Sequence, residues 1–475
     1  MLQQLGTAFL LGAMFSASQA AAQTPDTIRL SLASAVDRAI RNGDEVRLAQ
    51  AQVEVTDAQV AQARATGLPQ LRLSGNFNHV YENARANAVG SIFNQPNTYN
   101  ANANLSQVIF QGGRVVNGWR AASRTRAAAE LNEAEARAQA AFDVQRAYMQ
   151  VLFTQRLVEI QSATLDRARS HLTDVERLEG AGRSSRYDVL RARVQVANLE
   201  PALIQAQNDH EIALLELKRV INVPMTQPLA LTTTVDAATA QEVAGRVEGV
   251  MDRAPDRALL RAAEMTASAR DIGVKVARAD FLPSISVFLQ SGYQAFPVGN
   301  RFPPGMGKVI SAECPPDSPP GRSCITHNGG WFADRSMGVQ ISWPLFDGLR
   351  SKGNLDLAQA QARVADLQLT QRREQVAVEV ASARAGFTRA KALFDARRQN
   401  TAEATEALRL VNLRYARGLS TQLEVSDAQL ALMQAESNEA RAIYDYYLSA
   451  AEVARALGQP IPLPGGEINP REDLN

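Results

Sequence analysis

Residues 140–175 read AAFDVQRAYMQVLFTQRLVEIQSATLDRARSHLTDV, and small or apolar side chains recur along this stretch at alternating steps of four and three residues. This spacing is the heptad pattern by which long helices pack along a shared seam. The stretch therefore predicts a long helix with one packed stripe. The seam positions are Ala140, Val144, Ala147, Val151, Thr154, Val158, Gln161, Leu165, Ala168, Leu172 and Val175.

The pattern returns in the second half of the chain, in VAVEVASARAGFTRAKALFDARRQNTAEATEALRLV at residues 376–411. If the two helices cover about residues 112–178 and 348–414, each has roughly 67 residues and reaches about 100 Å. A compact domain does not need helices of this length, so we infer that the function depends on it. The second seam consists of Val376, Val380, Ala383, Phe387, Ala390, Phe394, Arg397, Thr401, Ala404, Leu408 and Val411.

The composition argues against several classes of function. The 475 residues carry a net charge of +1, so no global positive field favours nucleic acid. The four histidines show no metal-ligand spacing, and we find no nucleophile–base set or nucleotide-binding loop, so we expect neither an enzyme nor a cofactor. No run approaches the roughly 18 apolar residues that indicate a membrane-spanning helix. A membrane crossing would therefore require β-strands.

Alternation with a period of two replaces the helical pattern in four places, each with one apolar face and one face rich in uncharged polar residues. A strand pair precedes each long helix, so the chain reads as one unit built twice. The predicted strands lie at about residues 71–81, 98–110, 284–293 and 336–346. The units are residues 23–224 and 241–460, with a connector at 225–240 and a long second loop at 294–334.

These strands have the length and the alternation of transmembrane β-strands. Four strands cannot close a barrel, and open strand edges are not tolerated in lipid. The pattern therefore predicts a mainly α-helical protein with a membrane β-barrel portion, in which a homotrimer forms a 12-stranded barrel in outer-membrane lipid and the long helices continue as a tunnel. The alternative is a soluble four-stranded sheet with one wet face.

The two ends of the chain differ from its repeats. Residues 1–22 contain a short apolar core followed by small residues, which predicts a removed secretory signal. The alternative is a disordered or amphipathic amino end, because this segment lacks Lys and Arg. The tail at 461–475 is rich in Pro, Gly and charged residues, and we expect it to be poorly ordered.

The only two cysteines, Cys314 and Cys324, lie in the long second loop, in a segment rich in Pro and Gly. In an exported protein this spacing favours a loop-closing disulfide over free thiols.

Each long helix ends in a glycine-containing turn followed by Ser or Thr. The turns are residues 179–186 and 415–422, with Gly182 and Gly418 at matching positions. These paired turns, the Leu-Pro dipeptide before each strand pair and the strand-to-helix joints resemble the TolC-like family of outer-membrane efflux proteins. The resemblance covers nearly the whole mature chain.

In that family a trimer forms a barrel and a periplasmic tunnel that stays closed until an adaptor and an inner-membrane pump dock. The resemblance implies that Gly182 and Gly418 contact the adaptor. It also implies that Asp188 and Tyr415 form a polar pair that holds the tip shut.

Two further acidic residues belong to the same implied gate. Glu424 and Asp427 resemble an acidic ring that narrows the aperture. Glu424 replaces an Asp of the family pattern, and Ser420 stands where some members carry an Arg, so the closing network differs in detail. The alternative for each of these acidic residues is that it only caps a solvent-exposed helix end beside a turn and has no role in gating.

These features predict the exit duct of a tripartite export system, with drug or small-molecule efflux by an RND-type pump favoured. The same duct could serve type I protein secretion with an ABC pump, or metal efflux. A periplasmic adaptor or a coiled-coil spacer fits less well, because neither explains a duplicated helical hairpin fused to amphipathic strands.

Overall fold

The computed structural model describes residues 27–82, 97–297 and 330–468, together with positions 84, 88, 310–311 and 325–326. The predicted signal segment, Cys314 and Cys324 lie outside the described residues. In chain order the elements are β1 (Ile28–Leu30), α1 (Leu32–Asn42), α2 (Asp44–Ala65), β2 (Gln70–His79), β3 (Asn97–Gln111), α3 (Arg114–Gly180), α4 (Arg186–Val220), β4 (Leu229–Leu231), α5 (Ala237–Glu248), α6 (Ala258–Arg278), a 3-10 turn (Ala279–Phe281), β5 (Ser284–Ala295), β6 (Ile310–Ser311), β7 (Ile325–Thr326), β8 (Trp331–Ser342), α7 (Arg350–Ala416), α8 (Gln422–Leu457), β9 (Ile461–Leu463) and β10 (Gly466–Ile468).

The two long helices, α3 and α7, are called here the first and the second rod. Each contains 67 residues. None of the predicted seam positions in either rod is exposed, so the heptad pattern correctly indicates the packed stripe. The first rod packs against its return helix α4, and the second rod packs against α8. The result is two helical pairs, each closed by a turn at one end.

The helix α6 packs against both rods. Its counterpart in the first half is α2, which likewise precedes a strand pair. Among the described residues, α2 packs closely against the first rod and only slightly against α1. Leu48 and Val55 of α2 remain exposed, at 72% and 49%. The two halves therefore share a plan, but one half leaves an apolar helix face uncovered.

A hydrophobic core surrounds the rods midway along their length. It joins both rods to α1, α5, α8 and the short strands near both ends of the described chain. Tyr148 of the first rod is fully buried there, and its hydroxyl donates to the Leu30 carbonyl oxygen at 3.1 Å and accepts from the Thr233 amide at 3.1 Å. The core fixes the rods at their middle.

The main sheet is antiparallel, in the order β2-β3-β5-β8. One row across all four strands consists of Leu71, Leu105, Leu289 and Met337, and the adjacent row consists of Arg72, Asn104, Gln290 and Ser336. All four side chains of the apolar row are exposed. The sheet thus carries an uncovered row of apolar side chains across all four strands, and β2 and β8 are its edge strands.

The expectation of a poorly ordered tail over 461–475 is wrong for residues 461–468. These residues form the hairpin β9–β10, and Ile461 and Leu463 are buried in the mid-rod core. The guanidinium of Arg246 donates to the Gly466 carbonyl oxygen at 2.8 Å. Pro and Gly therefore shape a tight hairpin here, and the apolar residues between them supply its anchor.

Among the described helices, none combines the length and the apolar character needed to cross a membrane.

Candidate functional site at the helix tips

The two helical pairs end in turns of the same geometry, called here the first tip and the second tip. In the first tip the Arg183 amide donates to the Leu178 carbonyl oxygen at 2.8 Å, and in the second the Leu419 amide donates to Arg414 at 2.9 Å. Gly182 and Gly418 both have φ of +73°, which glycine adopts without strain. A side chain at either position would meet open space.

Asp188 closes the first tip as a helix cap. The Ser185 hydroxyl donates to Oδ2 of Asp188 at 2.7 Å, and the Asp188 amide donates back to the Ser185 oxygen at 3.2 Å. The Ser185 amide also donates to Oδ2 of Asp188 at 3.2 Å, so the reciprocal arrangement satisfies two backbone donors at the start of α4. The hydrogen bond from the Ser185 side chain lowers the pKa of Asp188 below its ordinary value.

Glu424 occupies the matching position of the second tip and closes it in the same way. It forms the capping box with Thr421 at the start of α8. The Ser420 hydroxyl donates to Oε2 of Glu424 at 2.7 Å, and this bond is the largest cause that lowers the pKa of Glu424. Asp188 and Glu424 are thus equivalent residues of the two repeats, although the family resemblance assigns them different roles.

Asp188 and Tyr415 lie along one open cleft between the two tips. The cleft has a volume of about 1140 Å³ and is also lined by Gly182, Gly418 and His171. Burial raises the pKa of Tyr415, and the carboxylate of Asp188 adds to this shift. The hydroxyl of Tyr415 forms no hydrogen bond with Asp188 in the part of the chain described. The ring of Tyr415 instead contacts His171, with centroids 5.3 Å apart.

Asp427 lies in a different place. It is exposed and lines a groove of about 320 Å³ between α4 and α8. An amide network crosses this groove: Gln195 donates to Gln429 at 3.1 Å and accepts from the Ser426 hydroxyl at 2.7 Å. Within one chain, Asp427 and Glu424 therefore do not share a cavity with Asp188 and Tyr415.

The described residues contain no group of three or more His, Cys, Asp or Glu side chains arranged to hold a metal ion. Hydroxyls and backbone amides donate to Asp188 and Glu424, and arginines pair with Asp174 and Glu176. In this arrangement these acidic residues can stabilise turns and bias the passage of charged species, since carboxylates attract cations.

Sequence reasoning missed two buried polar groups. His171 is only 9% exposed and directly precedes the seam position Leu172, which was the one available signal. Arg257 is 3% exposed and forms ion pairs with Glu135 of the first rod and Glu379 of the second. No local motif marks this triad, because each glutamate lies 122 residues from Arg257 in the sequence.

Comparison with known protein families identifies the family to which the chain belongs. The outer membrane efflux protein family matches residues 35–223 and 253–459, which is most of the chain. The chain belongs to this family. The resemblance to TolC-like proteins and the outer-membrane location of this efflux protein are thereby confirmed.

Two sequence relatives illustrate the range of the family. The solvent efflux pump outer membrane protein SrpC of Pseudomonas putida is 26% identical over 322 residues, which cover 66% of this chain and 61% of that protein. The match thus spans less than two thirds of that relative. The cobalt-zinc-cadmium resistance protein CzcC of Cupriavidus metallidurans is 23% identical, with 90% of each chain covered.

A solved structure supports the fold of this efflux protein. The outer membrane protein VceC of Vibrio cholerae superimposes with a TM-score of 0.71 at 21% identity, covering 90% of this chain and 96% of that one. The prediction of a mainly α-helical, duplicated fold of the TolC-like type is confirmed by this match.

Proposed function

We propose that this efflux protein is the outer-membrane exit duct of a tripartite export system and that its tips form the gate. The observation that carries the proposal is the direct continuation of strand into rod. β3 ends at Gln111 and the first rod begins at Arg114, with Gly112 and Gly113 making the bend at φ of +58° and +78°. A lipid-facing strand and a long helix thus form one continuous wall, as a duct across two compartments requires.

Two uncovered surfaces support a cyclic homotrimer. The sheet has free edges at β2 and β8, and an edge in lipid must pair with another strand. Among the described residues, α2 packs closely on the first rod only and leaves Leu48 and Val55 exposed, whereas its counterpart α6 packs on both rods. In a ring, α2 of one copy would pack against the second rod of the next copy. One head-to-tail contact between neighbouring copies would pair the sheet edges and cover the exposed face of α2. Repeating this contact around an axis closes a ring.

The tips are the surfaces best placed to meet a periplasmic adaptor. Gly182 and Gly418 face open space, and the neighbouring Leu419 is 65% exposed. An exposed leucine at the end of a long hairpin supplies apolar contact area for a partner helix. An adaptor docked there would connect the duct to an inner-membrane pump.

For the cargo we favour drugs or other small molecules moved by an RND-type pump, in line with the solvent-efflux relative. Metal efflux is the second candidate, because the relative CzcC matches over nine-tenths of this chain. Type I protein secretion remains a third. Export assays with each class of cargo, using candidate pumps and adaptors expressed together with this protein, separate them. We assign no catalytic role.

Site-directed cross-linking tests the docking surface. Arg183→Cys and Leu419→Cys, each combined with Cys314→Ser and Cys324→Ser, place one thiol at either tip. Met225→Cys is the matched control, because Met225 is 49% exposed and lies in the loop that follows α4. We expect the adaptor to be captured at both tips and not at position 225.

The assembly is tested on the same samples. A trimer that resists heating in detergent, recovered from outer-membrane fractions, supports the proposed duct. A soluble monomer in the periplasmic fraction, or equal capture at all three positions, contradicts it.

A further inference from the structure

His171 lies at the only contact between aromatic rings that joins the two helical pairs near their tips within the described residues. It belongs to the first rod, and its partner Tyr415 belongs to the second. The imidazole is 9% exposed, and its Nε2 atom is buried without a hydrogen-bond partner. A buried polar atom without a partner carries a free-energy cost. The contact of His171 with Tyr415 therefore tolerates the neutral imidazole and is poorly suited to the charged one.

The charges around His171 offset each other. The first rod contributes Asp166, Arg167, Asp174 and Arg177 to the lining of the cleft. The first tip adds Arg183, and α4 adds Asp188. From the second rod the only titratable lining residue is Tyr415, and α8 contributes the uncharged Gln422 and Gln429.

Two acidic residues of the cleft already have hydrogen-bond donors. Asp174 accepts from Arg177 at 2.9 Å, and Asp188 accepts from Ser185 at 2.7 Å. Burial is the main cause that lowers the pKa of His171, and Asp174 opposes this only in part. The protonated imidazole therefore gains stability when the tips separate and water reaches it.

We propose that His171 is a proton-sensitive latch of the tip. Its neutral imidazole packs against Tyr415 and holds the two helical pairs together, and its protonation loosens this contact, so that acidification opens the duct. This inference rests on the proposed duct function and adds a regulation to it. It is a positioning role, because His171 acts by holding Tyr415 and need not touch the cargo.

The sign of the effect follows from linkage. Burial lowers the pKa of His171 in its contact with Tyr415, and exposure to water in a separated tip would return the pKa towards the ordinary value, so the contribution of His171 to closure is fully present above the ordinary histidine pKa. It is lost as the pH falls through that value towards the closed-state pKa. Each pKa unit that separates the two states changes the open-to-closed ratio about tenfold in each subunit.

Asp188 and Tyr415 keep their charge states over the relevant pH range. The pKa of Asp188 is lowered, so it stays ionised, and the pKa of Tyr415 is raised, so it stays neutral. A titration between about pH 7.5 and about pH 5.5 therefore isolates the imidazole.

The test is the single-channel conductance of the full-length protein, reconstituted in planar lipid bilayers, over this pH range. We expect the wild-type conductance to rise several-fold on acidification and the His171→Phe variant to show a flat profile. The matched control is His210→Phe on α4, where the imidazole contacts Thr154 at 3.2 Å. This variant should keep the wild-type response.

A second variant covers the case in which His171→Phe does not assemble. Asp174→Asn removes the carboxylate that raises the pKa of His171, so the opening transition should move to lower pH. The exposed pair with Arg177 contributes little to folding. The latch alone is overturned if the wild type conducts but its conductance does not change with pH. It is also overturned if His171→Phe shows the same dependence of conductance on pH as the wild type. A wild type that forms no pore at any pH overturns the duct and the latch together.

Discussion

The middle of the rods and their tips are parts of the same helices, yet they are held by different amounts of packing. At the middle, Tyr148 and Tyr447 are fully buried, and Phe387 joins the same core that contains both rods. At the tips, the cleft between the pairs is open, and the ring contact of His171 with Tyr415 bridges it. This difference supports the proposed gate, in which the helical pairs separate at the tips while the middle remains fixed.

An ionic triad strengthens the middle. Arg257 is the N-cap residue directly before α6. It binds Glu135 and Glu379, so one buried guanidinium ties both rods to the helix between them. The two hydrogen-bonded carboxylates outweigh burial and raise the pKa of Arg257. A charge of this kind is stable only with its partners, since removal of one member leaves the others uncompensated.

The largest expected effect comes from breaking this triad. Arg257→Ala should lower the free energy of unfolding by about 3–5 kcal/mol, because two partly buried carboxylates lose their counter-charge. The measurement is thermal or chemical unfolding of the detergent-solubilised protein, followed by its helical circular dichroism.

The control is Arg261→Ala on the same helix. Its ion pair with Asp256 is about half exposed and should contribute about 1 kcal/mol or less. Replacing all three triad members with apolar residues of similar size should restore most of the lost stability. Equal losses for Arg257→Ala and Arg261→Ala would show that the triad does not fix the middle.

A smaller effect is expected at the two tip glycines. Gly182→Ala and Gly418→Ala introduce a side chain at a φ of +73°, which costs about 1–2 kcal/mol locally. Because both positions face open space, the two variants should lose protection equally. The measurement is amide hydrogen exchange across residues 179–186 and 415–422. The control is Gly353→Ala, inside the second rod, which should not increase exchange at either tip. Unequal losses would mean that the tips are not equivalent.

The caps give the smallest effect. Ser185→Ala and Thr421→Ala should each cost about 1 kcal/mol at their own tip. The pKa values of Asp188 and Glu424 are lowered by their hydrogen bonds, so the caps contribute fully above the ordinary carboxyl pKa. They are lost as the pH falls through the lowered values. Spin labels at Arg183→Cys and Leu419→Cys should therefore gain mobility together in acid. Mobility that changes at one tip alone would contradict this.

Regular patterns made most of the fold predictable from the sequence. Heptads place the rods because packing repeats at every turn of a long helix, and alternation places the strands because their side chains alternate between two faces. The tip turns were predictable from Gly182, Gly418 and the Ser or Thr that follows each of them. The equivalence of Asp188 and Glu424 was already present in the sequence, because each lies six positions after the glycine of its turn.

What escaped prediction depends on contacts between distant segments. Arg257 and its two partners carry no local signal, since each is an ordinary charged residue in its own helix. The order of residues 461–468 depends on a core supplied by other helices, and a composition rich in Pro and Gly conceals it. His171 becomes distinctive only when Tyr415 of the other half is placed against it.

The central claim is that the tips gate a conducting duct, and acidic side chains at the second tip test it most directly. In reconstituted full-length protein, Glu424→Ala combined with Asp427→Ala should raise the single-channel conductance and reduce cation selectivity, because a ring of carboxylates at a constriction attracts cations. Asp209→Ala, at an exposed position on α4, serves as the control and should change neither property. Conductance and selectivity that stay at wild-type values in the double variant would contradict the account.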